Sequence, residues 1–195
     1  MSRVGPGDSA LTLYLVRHGE TAWNAERRVQ GHSDVPLNDR GRAQAETAAA
    51  ELAGAPVGAV IASDLSRAIS TAAPIAAVHG LEVLTDPRLR ERYFGLAEGR
   101  LDAELEAEYG DGLAAYWRDP DTPFPEGESV REHQERVSGY LERLLADPPA
   151  RSIVLVSHGG TVRRALNHLA GIPVEDGVYA PIANGSVRTV TVAAQ

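Results

Sequence analysis

Thr12-Leu13-Tyr14-Leu15-Val16-Arg17-His18-Gly19 is a short apolar, β-branched and aromatic run that stops at a cation, an imidazole and a glycine. It reads as a buried strand over Thr12 to Val16, closed by a turn. The ending recurs at Ile153-Val154-Leu155-Val156-Ser157-His158-Gly159. A third buried strand, Val57 to Ala62, runs into Ser63-Asp64-Leu65-Ser66-Arg67, which places Arg67 in the first turn of a helix. Helical patterns separate these strands. One spans Leu37 to Gly54, with Asn38 or Asp39 as cap and Gly54 as stop. Another runs from about Leu65 to His79, where Pro74 suggests a kink or break. Leu81 to Leu84 is a candidate short strand, Leu101 to Tyr109 an acidic helical piece, and Ser129 to Leu145 an amphipathic helix. In that last helix Val130, Val137, Leu141 and Leu144 fall on one side. Ser186 to Val192 alternates as a final strand after the Asn184-Gly185 turn. Strands alternating with helices predict an α/β fold with a mostly parallel sheet.

In an open α/β sheet, ligands collect at the carboxyl ends of the strands. If the three strands are neighbours, His18, His158, Arg17 and Arg67 converge on one small volume. Helix N-termini there add unpaired amides and a favourable dipole for anions. Each piece alone has a bland explanation: a turn histidine, or a solvated arginine. The conjunction points to a phosphate.

Composition narrows the chemistry. Among the 195 residues there is no cysteine and no lysine; all 19 Lys+Arg positions are arginine. A thiolate nucleophile, a disulfide framework, a Schiff base and a lysine-dependent phosphate loop are therefore excluded. Arginine remains as the oxyanion fork. A formal charge of −8 argues against nucleic acid and anionic membranes as partners, and no apolar run is long enough to span a bilayer. Met1 to Ala10 lacks the apolar stretch of a signal peptide, so the expected compartment is the cytoplasm. One domain over residues 1–195 is expected, with 1–10 flexible and the irregular 92–128 segment an excursion covering the site.

The residues also carry a resemblance. Leu15-Val16-Arg17-His18-Gly19-Glu20-Thr21 with Trp23-Asn24 resembles the signature of the histidine phosphatase superfamily, the phosphoglycerate mutase-like proteins. The likeness continues through Gln30-Gly31-His32-Ser33-Asp34-Val35-Pro36-Leu37-Asn38, Ser63-Asp64-Leu65-Ser66-Arg67-Ala68 and Leu89-Arg90-Glu91-Arg92-Tyr93-Phe94-Gly95. It ends with Val156-Ser157-His158-Gly159-Gly160. The resemblance implies a three-layer α/β/α sandwich and a phosphatase of the histidine acid phosphatase type. His18 would be the nucleophile, with Arg17, Arg67 and His158 holding the non-bridging oxygens. Glu91 would be the general acid and then the base that activates water. Asn24 and the amides near Gly159 would complete the cradle. Thr21, Gln30, Gly31, His32 and Tyr93 would lie near the substrate.

That chemistry needs a neutral His18, which positive neighbours favour, and a Glu91 that carries a proton near neutral pH. No cofactor is expected. The six histidines show no two-histidine helical spacing with an intervening glutamate, so no metal requirement is expected either. His79, His133 and His168 are expected to be surface or cap residues. Tyr116, Trp117 and Phe124 are expected either to wall the leaving-group side or to pin their loop to the core.

The partner is expected to be a small phosphomonoester, and a homodimer is an expectation by analogy alone. Phosphoglycerate mutases share the implied site but carry extra covering segments, whereas the excursion here is modest. The Arg27-Arg28-Val29-Gln30-Gly31 stretch also resembles the family's phosphatases. A non-catalytic phospho-ligand module would lack His18, Glu91 or an arginine, and all are present.

Overall fold

The computed structural model describes residues 10–193; the expectation of flexibility over 1–10 lies, but for Ala10, outside them. Five strands form one sheet: β1 (Leu11–Arg17), β2 (Ala59–Ala62), β3 (Val83–Thr85), β4 (Ser152–Ser157) and β5 (Val187–Val192), in the order β3-β2-β4-β1-β5. The first four are parallel to their neighbours, and β5 pairs antiparallel with β1. The helices are α1 (Ala22–Glu26), α2 (Asp39–Leu52), α3 (Ser66–His79), α4 (Asp102–Tyr109), α5 (Leu113–Arg118), α6 (Val130–Ala146) and α7 (Gly159–Leu169).

Strand periodicity assigns the layers. Leu11, Leu13 and Leu15 alternate onto one face, where Val137, Leu141 and Leu144 of α6 and Val162 and Ala165 of α7 cover them. Val16, Val60, Val154 and Val156 pack on the other face against alanines of α2 and α3. β4 is buried at all six positions, as a central strand covered on both faces must be. The result is a three-layer α/β/α sandwich. Leu13 and Leu15 are almost fully enclosed, so truncating either to alanine costs about 2–5 kcal/mol.

Several elements differ from the sequence expectation. Asn38, not Asp39, caps α2, and the helix ends at Leu52 before Gly54. Pro74 does not break α3: the carbonyl it deprives belongs to exposed Ser70, where water can serve. Gly80 ends that helix in the left-handed region at φ 65°. The second strand starts at Ala59 and the third at Val83, each later than expected. α5 gave no clear apolar period.

The segment between β3 and α6 forms a separate apolar cluster with Val29 of the loop after α1: Val29, Ala97, Leu105 and Phe124 are buried, with Phe94, Tyr109, Tyr116 and Trp117 packed around them. Phe124 is fully buried and stacks on Tyr116, so of the two expectations for these aromatics, pinning holds for Phe124.

Candidate active site

The in-register β1–β4 pairing sets Arg17 beside Ser157 and delivers His18 and His158 to the same edge of the sheet. The His18 amide donates to the Ser157 carbonyl at 2.8 Å, which extends the pairing by one residue. The two imidazoles meet edge to face, with centroids 5.1 Å apart, and both are enclosed. β2 lies on the other side of β4, so Ser63 and the start of α3 complete the cluster. The neighbour relation that the convergence required is present.

Each ring has its tautomer set by its partners. His18 Nδ1 lies 2.6 Å from the Gly19 carbonyl, an acceptor only, so Nδ1 carries the hydrogen and Nε2 keeps its lone pair. His158 Nδ1 accepts from Arg67 Nε at 3.2 Å, so its hydrogen sits on Nε2 and faces Ser63 Oγ at 2.9 Å. Burial pushes the His18 pKa well below 6.5, and Arg67 and Arg17 push it further down; the Gly19 carbonyl opposes them. Burial first, then Arg67, His18 and Arg17, does the same to His158. Both rings are therefore neutral at physiological pH.

Arg67, which taken alone reads as a surface residue, is 1% exposed. Its terminal nitrogens donate to the Gly31 and Ser33 carbonyls, each at 2.7 Å, leaving each nitrogen one further N–H. Burial lowers its pKa to about 10, against the opposing pull of Glu91. Arg17 Nη1 donates to the Ile182 carbonyl, and its buried Nε has no partner among the described residues. A Cβ at Gly159 would stand 3.3 Å from that Nε, so glycine keeps this side of the guanidinium open. Burial lowers the Arg17 pKa, with Glu91 opposing.

Glu91 is held on two sides. Its Oε1 accepts from the Arg92 amide at 2.9 Å, and its Oε2 from the Gly160 amide at 2.8 Å, at the N-terminus of α7. Its carbonyl accepts from His32 Nε2 at 2.9 Å and Arg136 Nη2 at 3.0 Å. Arg136 on α6 also donates to the Arg88 and Arg90 carbonyls and forks onto Glu128 at 2.7 and 2.8 Å. One guanidinium thus fastens the whole 88–91 segment. His133 does not lie on the surface as expected: it is 3% exposed, donates from Nε2 to Thr161 Oγ1, and lies 3.9 Å from Glu91 Oε1. Burial, then the nearby Arg136, Arg92 and Arg164, lowers its pKa well below 6.5.

The remaining expected residues divide. Thr21 is fully buried and caps α1, and its hydroxyl contacts Gln30 Oε1 at 3.0 Å; these two shape the loop. Asn24 Oδ1 receives the Thr21 amide and Asn184 Nδ2, both at 3.2 Å, which leaves Asn24 Nδ2 without a partner among the described residues. Gly31 has φ 54°, and a side chain there would collide with Glu98 Oε1. His32 packs against the ring of exposed Tyr93, tilted by 40° with centroids 5.2 Å apart, and burial lowers its pKa.

Sequence reasoning missed Glu98, Arg136, Ser63 and Asn184. Glu98 takes the His32 and Ser33 amides at 2.7 and 2.8 Å, and so shapes the loop that holds Arg67. Asn184 Nδ2 also donates to the His18 carbonyl at 3.0 Å. His133 did have a signal: it lies three residues after Val130 and four before Val137, on the buried stripe of α6.

Together the site offers a neutral imidazole with a free lone pair, two guanidiniums and a carboxyl group, which are a nucleophile, oxyanion donors and a proton carrier by chemical type. Among the described residues no group of three His, Asp or Glu could hold a metal ion, and no helix is long and apolar enough to cross a membrane.

Known proteins resemble this chain in sequence and fold. The sequence model of the histidine phosphatase superfamily (branch 1) matches residues 13–195. A relative from Cronobacter sakazakii named "Probable phosphoglycerate mutase GpmB" is 43% identical over 164 residues, 84% of this chain and 76% of its own length. The structure of a mycobacterial glucosyl-3-phosphoglycerate phosphatase, complexed with VO3, superposes with a TM-score of 0.86 at 31% identity over 92% of this chain and 90% of its own. The α-ribazole phosphatase of Shigella flexneri gives 0.82 at 30% identity, over 92% and 89%. With its fold, its paired histidines and the match over nearly all its length, the chain belongs to branch 1 of the histidine phosphatase superfamily.

Proposed function

We propose that the protein hydrolyses a small phosphomonoester through a phosphohistidine on His18, without a metal ion, as one domain whose 92–128 segment reaches over the site. The observation that carries this reading is the tautomer of His18. With Nδ1 tied to the Gly19 carbonyl and the ring held neutral, Nε2 presents a lone pair beside two guanidiniums. In the first step Nε2 attacks phosphorus and the P–O bond to the leaving group breaks; Glu91 gives its proton to the departing oxygen. Arg17, Arg67 and His158 hold the non-bridging oxygens as charge spreads onto them. Asn24 Nδ2 and the α7 amides complete the cradle, with His32 and Tyr93 beside the leaving group. In the second step the Glu91 carboxylate takes a proton from water, hydroxide attacks phosphorus, and the P–N bond breaks to release phosphate.

A mutase reading has one observation in its favour, the name carried by the 43%-identical relative. There the phosphoryl group on His18 would return to a bound glycerate instead of meeting water. A panel of phosphorylated metabolites and p-nitrophenyl phosphate, read as kcat/KM with His18→Ala as blank and with chelator present, separates the readings. Phosphate release from several monoesters supports hydrolysis. Interconversion of phosphoglycerates with a bisphosphoglycerate primer and negligible phosphate release supports the mutase. Loss of turnover in chelator, restored by a divalent ion, contradicts metal independence.

A further inference from the structure

His133 is a buried titratable group that the phosphoryl-transfer steps do not use. Its position on α6 is an apolar one, on the buried stripe with Val130 and Val137. An apolar side chain would fill that position with no polar atom to satisfy, whereas a buried imidazole is costly unless it is hydrogen-bonded. What its bond does is therefore the question the stripe raises.

That bond has a fixed direction. Thr161, also buried, places its Oγ1 2.8 Å from the Arg90 carbonyl, which only accepts, so the one hydroxyl hydrogen points there. The same oxygen lies 3.0 Å from His133 Nε2 and must accept from it, so the imidazole hydrogen sits on Nε2. A chain of donors thus runs from α6 through α7 to the peptide that leads into Glu91. The Arg90 carbonyl has two lone pairs: Arg136 Nη1 takes one at 3.0 Å, and Thr161 takes the other. Thr161 follows Gly160, whose amide holds Glu91 Oε2 at 2.8 Å. One hydroxyl therefore sets the backbone ahead of Glu91 against the amide that grips its carboxyl group. His133 Nε2 is 3.9 Å from Glu91 Oε1, too far for a hydrogen bond, so the ring acts through Thr161. Burial, then Arg136, Arg92 and Arg164, keeps the ring neutral, so it supplies a donor without adding charge beside the acid.

We propose that His133 is a positioning residue for Glu91, acting through the Thr161 hydroxyl to hold the carboxyl group where it meets the leaving oxygen. The proposal rests on the phosphatase reading, because it gives Glu91 the leaving-group proton. Arg136 fastens the 88–91 segment to α6. The His133–Thr161 chain fastens it to the first turn of α7, which opens directly after His158. The acid is in this way set against the phosphate cradle, and not only against the helix behind it.

The test compares kcat/KM on ethyl phosphate, whose alkoxide needs a proton to leave, with that on p-nitrophenyl phosphate, whose phenolate does not. His133→Leu keeps the apolar stripe and removes the donor. It is expected to lower ethyl-ester turnover about tenfold and nitrophenyl-ester turnover by less than about threefold. His133→Gln places an amide N–H where Nε2 stood, and is expected to keep ethyl-ester turnover within about threefold of the native protein. Thr161→Val should reproduce the unequal loss, Thr161→Ser should not, and adding His133→Leu to Thr161→Val should lower turnover no further. The Thr161 variants read the same chain without altering α6, so a His133→Leu protein that fails to fold leaves the test intact. Unchanged ethyl-ester turnover in folded His133→Leu or Thr161→Val overturns the positioning role alone. Equal losses on the two esters, a His133→Gln loss as deep as that of His133→Leu, a Thr161→Ser loss as deep as that of Thr161→Val, or losses that multiply in the double variant do the same. A native protein that turns over neither ester overturns the phosphatase reading and the positioning role with it.

Discussion

Replacing Arg136 with methionine keeps the aliphatic volume on α6 and removes the fork that fastens the 88–91 segment. Five hydrogen bonds are lost: three to the Arg88, Arg90 and Glu91 carbonyls and two to Glu128. Breaking a buried ion pair costs about 3–5 kcal/mol. The Arg136 and Glu128 side chains are 21% and 16% exposed, and the freed groups can partly hydrate, so about 2–4 kcal/mol is expected. That lowers Tm by about 4–16 °C, within the tolerance of a domain of ordinary stability. The larger effect is catalytic. Glu91 loses the anchor on its carbonyl, and a displacement of about 1 Å can cost about 10²-fold in rate.

The loss depends on the leaving group, which separates positioning from general damage. p-Nitrophenolate departs without needing a proton, whereas an alkoxide needs one. Arg136→Met is therefore expected to lower kcat/KM for an alkyl phosphate about 10²-fold, and for p-nitrophenyl phosphate by less than about tenfold. Glu91→Gln should show the same asymmetry more strongly, by about 10²–10⁴-fold on the alkyl ester, with phosphate affinity largely kept. A folded Arg136→Met enzyme with unchanged kcat/KM on alkyl phosphates would refute the reasoning. Equal losses on both esters would do so as well.

Two further outcomes follow from the same geometry. A Cβ at Gly160 would stand 2.3 Å from Glu91 Oε1, so Gly160→Ala is expected to push the carboxylate aside and cut alkyl-ester kcat/KM by about 10²-fold; a crystal structure with Glu91 unmoved and full activity would contradict this. His18, His133 and His158 are neutral when folded, with pKa values well below 6.5, so the unfolded chain binds more protons and stability falls as pH drops below about 6.5. Each contributes up to about 1.4 kcal/mol per pH unit until its folded pKa is reached. Urea unfolding midpoints from pH 7 to 5 should decline, less steeply in His133→Asn, and a flat profile would be inconsistent with three buried neutral rings.

The strand endings made much of this site legible. Arg17, His18, Ser157 and His158 follow apolar runs whose burial is forced, so parallel pairing in register brings them together with little freedom. What could not be read is the support behind them. Arg136 reaches back 45 residues to the Glu91 carbonyl, and Glu98 reaches 66 to the His32 amide; on their own elements both look like solvated charges. Backbone carbonyls as acceptors leave no mark in side-chain chemistry, so the pinning of Arg67 by Gly31 and Ser33 was likewise silent. Asn184 read as a turn residue ahead of the final strand, and the turn is where it lies; its reach to His18 and Asn24 depends on how β5 docks against β1.

The central claim is that His18 Nε2 carries the phosphoryl group. Rapid acid-free quenching during turnover, followed by peptide mass spectrometry, tests it most directly. The expected result is one phosphoryl group on His18, stable in alkali, lost in acid, and absent from His18→Ala, which should not turn over. Steady hydrolysis with His18 unmodified, or with the phosphoryl group on another residue, would contradict the account.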